Sequence, residues 1–196
     1  MYGRKFSVVI PTLLKSPYLK KLLIDLEERP EVGEVIIIDN VGVIRGEGKQ
    51  RILSEGRNIF VNPAWNWGVR EAKFDYICLC NDDVNFDPKI FKFMFDKKGI
   101  TGLDTDCYYN SGEFGIERIT ERNWGWGCLI FFPKNEYKEI PNDLLIACGD
   151  DYLIKNCETY KLKGLKVNTK ISTTSLLPEF LGIQKQDLEI YNKKYR

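Results

Sequence analysis

Residues 6–40 read FSVVIPTLLKSPYLKKLLIDLEERPEVGEVIIIDN, and their pattern decides the fold class. Phe6 to Ile10 is a short β-rich apolar run closed by Pro11, as expected of a strand buried on both faces. Ser16-Pro17 offers an N-cap followed by proline at the first helical position. From there Leu19, Leu22, Leu23 and Leu26 keep helical spacing up to Pro30. Val35 to Ile38 is a second apolar strand, ended by Asp39-Asn40. Strand, amphipathic helix and strand in succession form a βαβ unit, whose crossover makes the two strands parallel.

Working outward, Tyr76 to Cys80 is another central strand and runs directly into Asn81-Asp82-Asp83. Between them, Val41 to Gly56 is glycine-rich and weakly periodic, so it reads as a loop with at most one helical turn. Asn58 to Val61 reads as a third strand, and Asn62-Pro63 opens a helix through Ala72. Asp87-Pro88 caps a helix carrying Ile90, Phe91, Met94 and Phe95. After Gly99 the pattern turns to shorter β pieces at 100–103, 107–110 and 128–132, which predicts an antiparallel or mixed region. Asp150-Asp151 begins a last clear helix with Tyr152, Leu153, Ile154 and Cys157, stopped at Gly164 before Leu165-Lys166-Val167. The tail is Lys-rich and loosely patterned, and the chain carries no internal repeat, low-complexity tract or linker.

A chain of 196 residues that is 43% hydrophobic suits one α/β domain, a central, mostly parallel sheet flanked by helices with a small mixed or antiparallel β region. With 29 basic and 28 acidic residues, the net charge of +1 gives no global field for nucleic acid or an anionic membrane. No apolar run approaches the roughly 20 residues of a membrane span, and the N-terminal residues lead into a strand rather than a cleavable signal. The expectation is a soluble, cytoplasmic protein. Six cysteines without CxxC spacing read as reduced, mostly buried thiols. The most restrictive count is zero histidines, which removes Ser-His and Cys-His catalysis, His-ligated zinc and any imidazole acid or base. Acid–base chemistry falls to carboxylates.

In open α/β sheets ligands bind beyond the carboxyl ends of the parallel strands. Pro11-Thr12, Asp39-Asn40 and Asn81-Asp82-Asp83 sit at three such ends and are expected to meet in one crevice. An acidic cluster facing a diphosphate requires an intervening divalent cation, and all-oxygen ligands suit Mg2+ or Mn2+. The plainer reading is that Asn and Asp end strands because they make turns, and that Asp87-Pro88 is only a helix start.

These segments together resemble the family 2-like glycosyltransferases of the GT-A fold, from Phe6 to about Val167. Phe6 to Thr12 is similar to the family's opening strand, Glu34 to Asn40 to its acid-ended second strand, and Tyr76 to Pro88 to the strand bearing the DXD-type motif. Gly149 to Lys155, followed by Gly164 to Val167, is similar to the acidic helix start, usually Glu-Asp. The resemblance implies a single GT-A (Rossmann-like) domain over 1–196, with a nucleotide-sugar donor half at 1–100 and an acceptor half and tail at 101–196. It implies that Pro11, Thr12 and Asp39 hold the base, Asp39 accepting from the ring imide of uracil or thymine. Asp82 then lies near the ribose, and Asp83 binds the metal that bridges the diphosphate. Asn81 departs from the motif's first acid. Asp151 is implied as the base that deprotonates an acceptor hydroxyl, with Asp150 orienting acceptor hydroxyls or holding Asp151. Read without the resemblance, both are acids complementing a helix dipole. Asn62 and Asn66 are expected beside the donor, with Arg57 within reach. In Asn123-Trp124-Gly125-Trp126-Gly127, Trp126 is the first choice and Trp124 the second for stacking on an acceptor sugar; core packing is the competing reading. Trp65 and Trp67 read as core. The family's late histidine ligand is missing, which leaves its space to Lys170 or water.

The expected activity is metal-dependent, inverting transfer of a hexosyl or deoxyhexosyl group from a UDP- or dTDP-sugar to a glycan or glycoconjugate hydroxyl. A nucleotidyltransferase making NDP-sugars is the nearest alternative, but Pro11 to Lys15 lacks the glycines of its phosphate loop. A non-catalytic nucleotide-sugar-binding domain is the other, disfavoured by the presence of both Asp83 and Asp151.

Overall fold

The computed structural model describes residues 4–169 and 177–196. Among the described residues ten strands and five α-helices follow in order as β1 (Phe6–Thr12), α1 (Leu19–Glu27), β2 (Val32–Asp39), β3 (Gln50–Leu53), α2 (Val61–Glu71), β4 (Tyr76–Cys80), β5 (Val84–Phe86), α3 (Ile90–Met94) and β6 (Ile100–Leu103). They continue as β7 (Gly115–Ile119), β8 (Leu129–Pro133), α4 (Gly149–Asn156), β9 (Thr159–Lys163), β10 (Val167–Thr169) and α5 (Pro178–Lys194). Eight strands form one sheet in the order β3-β2-β1-β4-β8-β6-β9-β7, and β10 pairs with β5 in a separate antiparallel ribbon.

The predicted βαβ unit is present. β1 runs parallel to both β2 and β4, with Thr12 opposite Asp39. The large sheet turns mixed at β8, which is antiparallel to both β4 and β6. The strand interiors alternate between two cores, as a period of two requires. Val8, Ile10, Val35, Ile37, Cys78 and Cys80 face α1 and α3. Val9, Ile36, Ile38, Ile77 and Leu79 face α2 and α4. The six thiols are unpaired, and five are buried, in keeping with the expectation from sequence. Among the described residues no helix is long and apolar enough to cross a membrane.

Several elements differ from the sequence reading. The third strand is Gln50–Leu53, not 58–61. Phe60 has φ 66°, which no strand residue adopts, and Asn58 Oδ1 accepts the Phe60 N–H at 2.9 Å to set an Asx-type turn. The glycine-rich loop instead delivers a short parallel edge strand against β2, held where Arg51 reaches Glu34 and Glu71. Residues 105–109 form a 3-10 turn rather than a β piece, because the Asp104 side chain accepts from the Asp106 N–H and Asn110 closes the turn in the left-handed region. The helix at Asp150 stops at Cys157, well before Gly164, since Thr159–Lys163 finds strand partners on both sides, β6 and β7. β7 itself was not foreseen. The loosely patterned tail is a helix of 17 residues.

Candidate active site

The strand ends do meet. They border a cavity of about 1280 Å³ lined by, among others, Pro11, Thr12, Asn62, Asn81, Asp82, Asp83, Trp124, Asp150 and Asp151. The acidic turn is fixed from three directions. The Asn81 N–H donates to the Cys128 carbonyl at 3.0 Å, tying the turn to the start of β8. The Thr12 hydroxyl donates to Asp82 Oδ2 at 2.5 Å while accepting the Leu14 N–H at 2.9 Å, and the Ser16 hydroxyl donates to the Asp82 carbonyl at 2.7 Å. On the far side Val84 enters the β5–β10 ribbon opposite Thr169.

This environment perturbs both carboxyls. Burial raises Asp82, with the Thr12 hydroxyl opposing. Burial, and then the neighbouring charge of Asp82, push Asp83 up to about 6. Asp83 is 7% exposed, and its Oδ1 is buried with no hydrogen-bond partner. A buried carboxylate oxygen without a donor is costly, and a cation is the simplest partner that removes the cost. No group of three or more His, Cys, Asp or Glu side chains among the described residues makes a complete metal site. The two adjacent carboxylates are oxygen donors of the kind that suits a hard divalent cation. Lys170, suggested for the space of the missing histidine, lies outside the described residues.

Across the cavity, α4 presents Asp150 and Asp151 in its first turn. Arg122, which the sequence reading passed over, spans them: its guanidinium lies 3.0 Å from Asp150 Oδ2 and 3.3 Å from Asp151 Oδ1. Burial and the charge of Asp150 raise Asp151, and Arg122 opposes both. Gly149 is required here, because a Cβ at that position would overlap Asn62 Oδ1.

Three of the expected site residues do not line the cavity. Asp39 is 1% exposed, and its two oxygens accept the N–H groups of Val41, Gly42, Val43 and Ile44 at 2.6–2.9 Å. Burial pushes its pKa up, but these four donors outweigh it and leave Asp39 below the usual carboxylate range. In this conformation no lone pair remains to read a base. Asn66 is likewise 1% exposed and consumed in pinning a loop. It donates to the Ile140 carbonyl and accepts from the Ile140 N–H and the Tyr137 hydroxyl. Trp126 is 0% exposed and donates its indole N–H to the Tyr160 carbonyl at 2.8 Å, against Gly102, where no Cβ would fit. Core packing decides its place, so the two tryptophans exchange rank. Trp124 is 53% exposed at the rim, edge-on to Tyr108 at 5.0 Å. Asn62 lines the cavity, but its amide donates to the Leu144 and Ala147 carbonyls. Arg57 pairs with Glu55 on the surface. Part of the remaining wall comes from α5, including Phe180, Lys185, Leu188 and Tyr191.

No protein-family model and no curated protein matches the sequence. Solved structures match in fold. Mannosyltransferase PcManGT from Pyrobaculum calidifontis, in complex with GDP-Man and Mn2+, aligns with a TM-score of 0.59 at 14% identity, over 81% of this chain and 55% of its own. TarS from S. aureus in complex with UDP-GlcNAc aligns with a TM-score of 0.61 at 15% identity, over 96% of this chain and 67% of its own. The chain thus spans roughly half to two thirds of these relatives. It has the GT-A glycosyltransferase fold.

Proposed function

We propose that the protein is a metal-dependent, inverting glycosyltransferase that moves a sugar from a UDP- or dTDP-sugar to a hydroxyl of a glycan or glycoconjugate. The observation that carries the reading is the pairing, across one cavity, of a buried carboxylate with an unpartnered oxygen, Asp83, and a second acidic pair at a helix start, Asp150-Asp151. The fold likeness to complexes with GDP-Man, UDP-GlcNAc and Mn2+ supports the same substrate class.

In this reading the donor half, 1–100, and the acceptor half, 101–196, are two parts of one domain. Asp83, with Asp82 beside it, would hold Mn2+ or Mg2+, which when bound neutralises the departing diphosphate. Asp82, positioned by Thr12, serves the ribose side. Asp151 takes the proton of the acceptor hydroxyl as that oxygen bonds to the anomeric carbon. The bond to the diphosphate oxygen breaks on the opposite face and the nucleoside diphosphate leaves. Attack and departure on opposite faces invert the centre. Asp150, held by Arg122, keeps Asp151 oriented, and Trp124 offers an apolar face to the acceptor ring.

The test is nucleotide release from a panel of UDP-, dTDP- and GDP-sugars with Mn2+, in wild type and in Asp83→Ala and Asp151→Asn. Release that falls by about 10²-fold or more in each variant is expected. Release unchanged in both would overturn the roles. Pyrophosphate formed from a sugar phosphate and an NTP would replace the reading with nucleotidyl transfer.

A further inference from the structure

Asp187 is a charged side chain in the middle of α5, yet it is 1% exposed. Its Oδ1 accepts the Leu145 N–H at 3.0 Å, and its Oδ2 accepts the Ile146 and Ala147 N–H groups at 2.7 and 2.8 Å. The same short segment is held from its other side by α2. There the Asn62 amide donates to the Leu144 and Ala147 carbonyls at 3.2 and 3.1 Å, and the Asn62 backbone N–H donates to the Leu145 carbonyl at 3.1 Å. The N–H groups of 145–147 are thus taken by the Asp187 side chain from α5, and the Leu144, Leu145 and Ala147 carbonyls by the side chain and backbone N–H of Asn62 from α2. The next residue, Cys148, sits in the left-handed region at φ 61°, a strained position for a residue with a Cβ, and α4 begins immediately after it with Gly149-Asp150-Asp151.

A charge buried this fully persists only where its hydrogen bonds are complete. Beside the apolar contacts that Phe180, Ile190 and Tyr191 give α5, Asp187 ties the helix to one short loop by directed hydrogen bonds. From these contacts we infer that Asp187 is a positioning residue for Asp151: through the 145–147 amides it fixes the left-handed Cys148 and thereby the direction in which the first turn of α4 presents its acids. Anchored this way, α5 also closes one wall of the cavity with Phe180 and Leu188. The inference rests on the role proposed above for Asp151.

The experiment compares wild type, Asp187→Ala, Asp151→Asn and the double variant by amide hydrogen exchange, by calorimetric binding of UDP with Mn2+, and by nucleotide release from the UDP- and dTDP-sugar panel. In Asp187→Ala, exchange is expected to rise at least tenfold both at 145–147 and at 149–152 while the turn at 81–83 is unchanged. UDP binding should stay within twofold. Nucleotide release should fall at least tenfold, and the double variant should be no slower than Asp151→Asn, since residues acting through one group are not additive. Increased exchange confined to 145–147, or losses that multiply in the double variant, would overturn the inference. If Asp187→Ala does not fold, Asp187→Asn keeps one acceptor oxygen and should give the same pattern at smaller amplitude; wild-type behaviour in it is contradictory. Absence of release from every donor by wild type counts against glycosyl transfer itself, and the exchange measurement still judges the clamp.

Discussion

The two acidic turns that face each other across the cavity are built in opposite ways. Asn81-Asp82-Asp83 continues a central strand, and the sheet itself holds it through Cys128, Thr12 and the ribbon partner of Val84. Cys148 to Asp151 ends a loop that belongs to no sheet, and two buried polar side chains on separate helices hold it in place. The first turn therefore inherits its rigidity from the sheet it extends, with the Thr12 and Ser16 hydroxyls added, while the second depends on hydrogen bonds to a loop outside any sheet. Mutations should affect the two turns differently.

The largest effect should come from Asp83→Asn, with a loss of nucleotide release of about 10²–10³-fold and no loss of metal-free stability at neutral pH. The sign follows from linkage. The fold raises Asp83 from 3.8 to about 6, so it binds the proton more tightly than the unfolded chain does. Its contribution is full below the unfolded value and is lost as pH rises through the folded one. Thermal melts between pH 4 and 7 should show a decline in wild type that Asp83→Asn lacks, and a gain on adding Mn2+ that only wild type shows.

Gly149→Ala attacks the other turn. The new methyl meets Asn62 Oδ1, and overpacking of this kind costs about 1–3 kcal/mol, to be read by urea denaturation. A neutral result would mean that the acceptor-side turn is looser than its hydrogen bonds suggest, and the contrast between the turns would fail. Arg122→Met should act more mildly, on pH dependence. Arg122 is the group that lowers Asp151 against burial and Asp150. Its removal should move the acid limb of the pH–rate profile upward, because the base is then protonated at higher pH. The smallest effect should be that of Trp124→Ala, within about 0.5 kcal/mol in stability, as for other exposed positions. Any change it makes should appear only in the concentration of acceptor required.

The contrast also explains what the sequence disclosed. β1, β2 and β4 are apolar runs closed by Pro11, Asp39 and Asn81, so both the strands and the polar groups at their ends were legible. The supports of the second turn were not. Asp187 and Asn62 are polar residues whose burial reverses the pattern that marks a core, so the helix around Asp187 read as a loosely patterned tail. Arg122 lies in a polar stretch, Thr120 to Asn123, without periodicity. Two more expectations failed because a local backbone feature overrode composition: the left-handed Phe60 displaced the third strand, and the Asp104 cap made a 3-10 turn of a β-like run. Trp126 reads from sequence as the first choice for the acceptor side and Trp124 as the second, but the space beside Gly102, which composition does not disclose, buries the Trp126 indole.

The central claim, that the acidic turn binds a nucleotide diphosphate through a cation, is tested most directly by titrating UDP calorimetrically into wild type and Asp83→Asn at neutral pH, with and without Mn2+. Binding that requires Mn2+ in wild type and disappears in Asp83→Asn is the predicted result. Binding of equal strength in both proteins, or independent of the metal, would contradict the account.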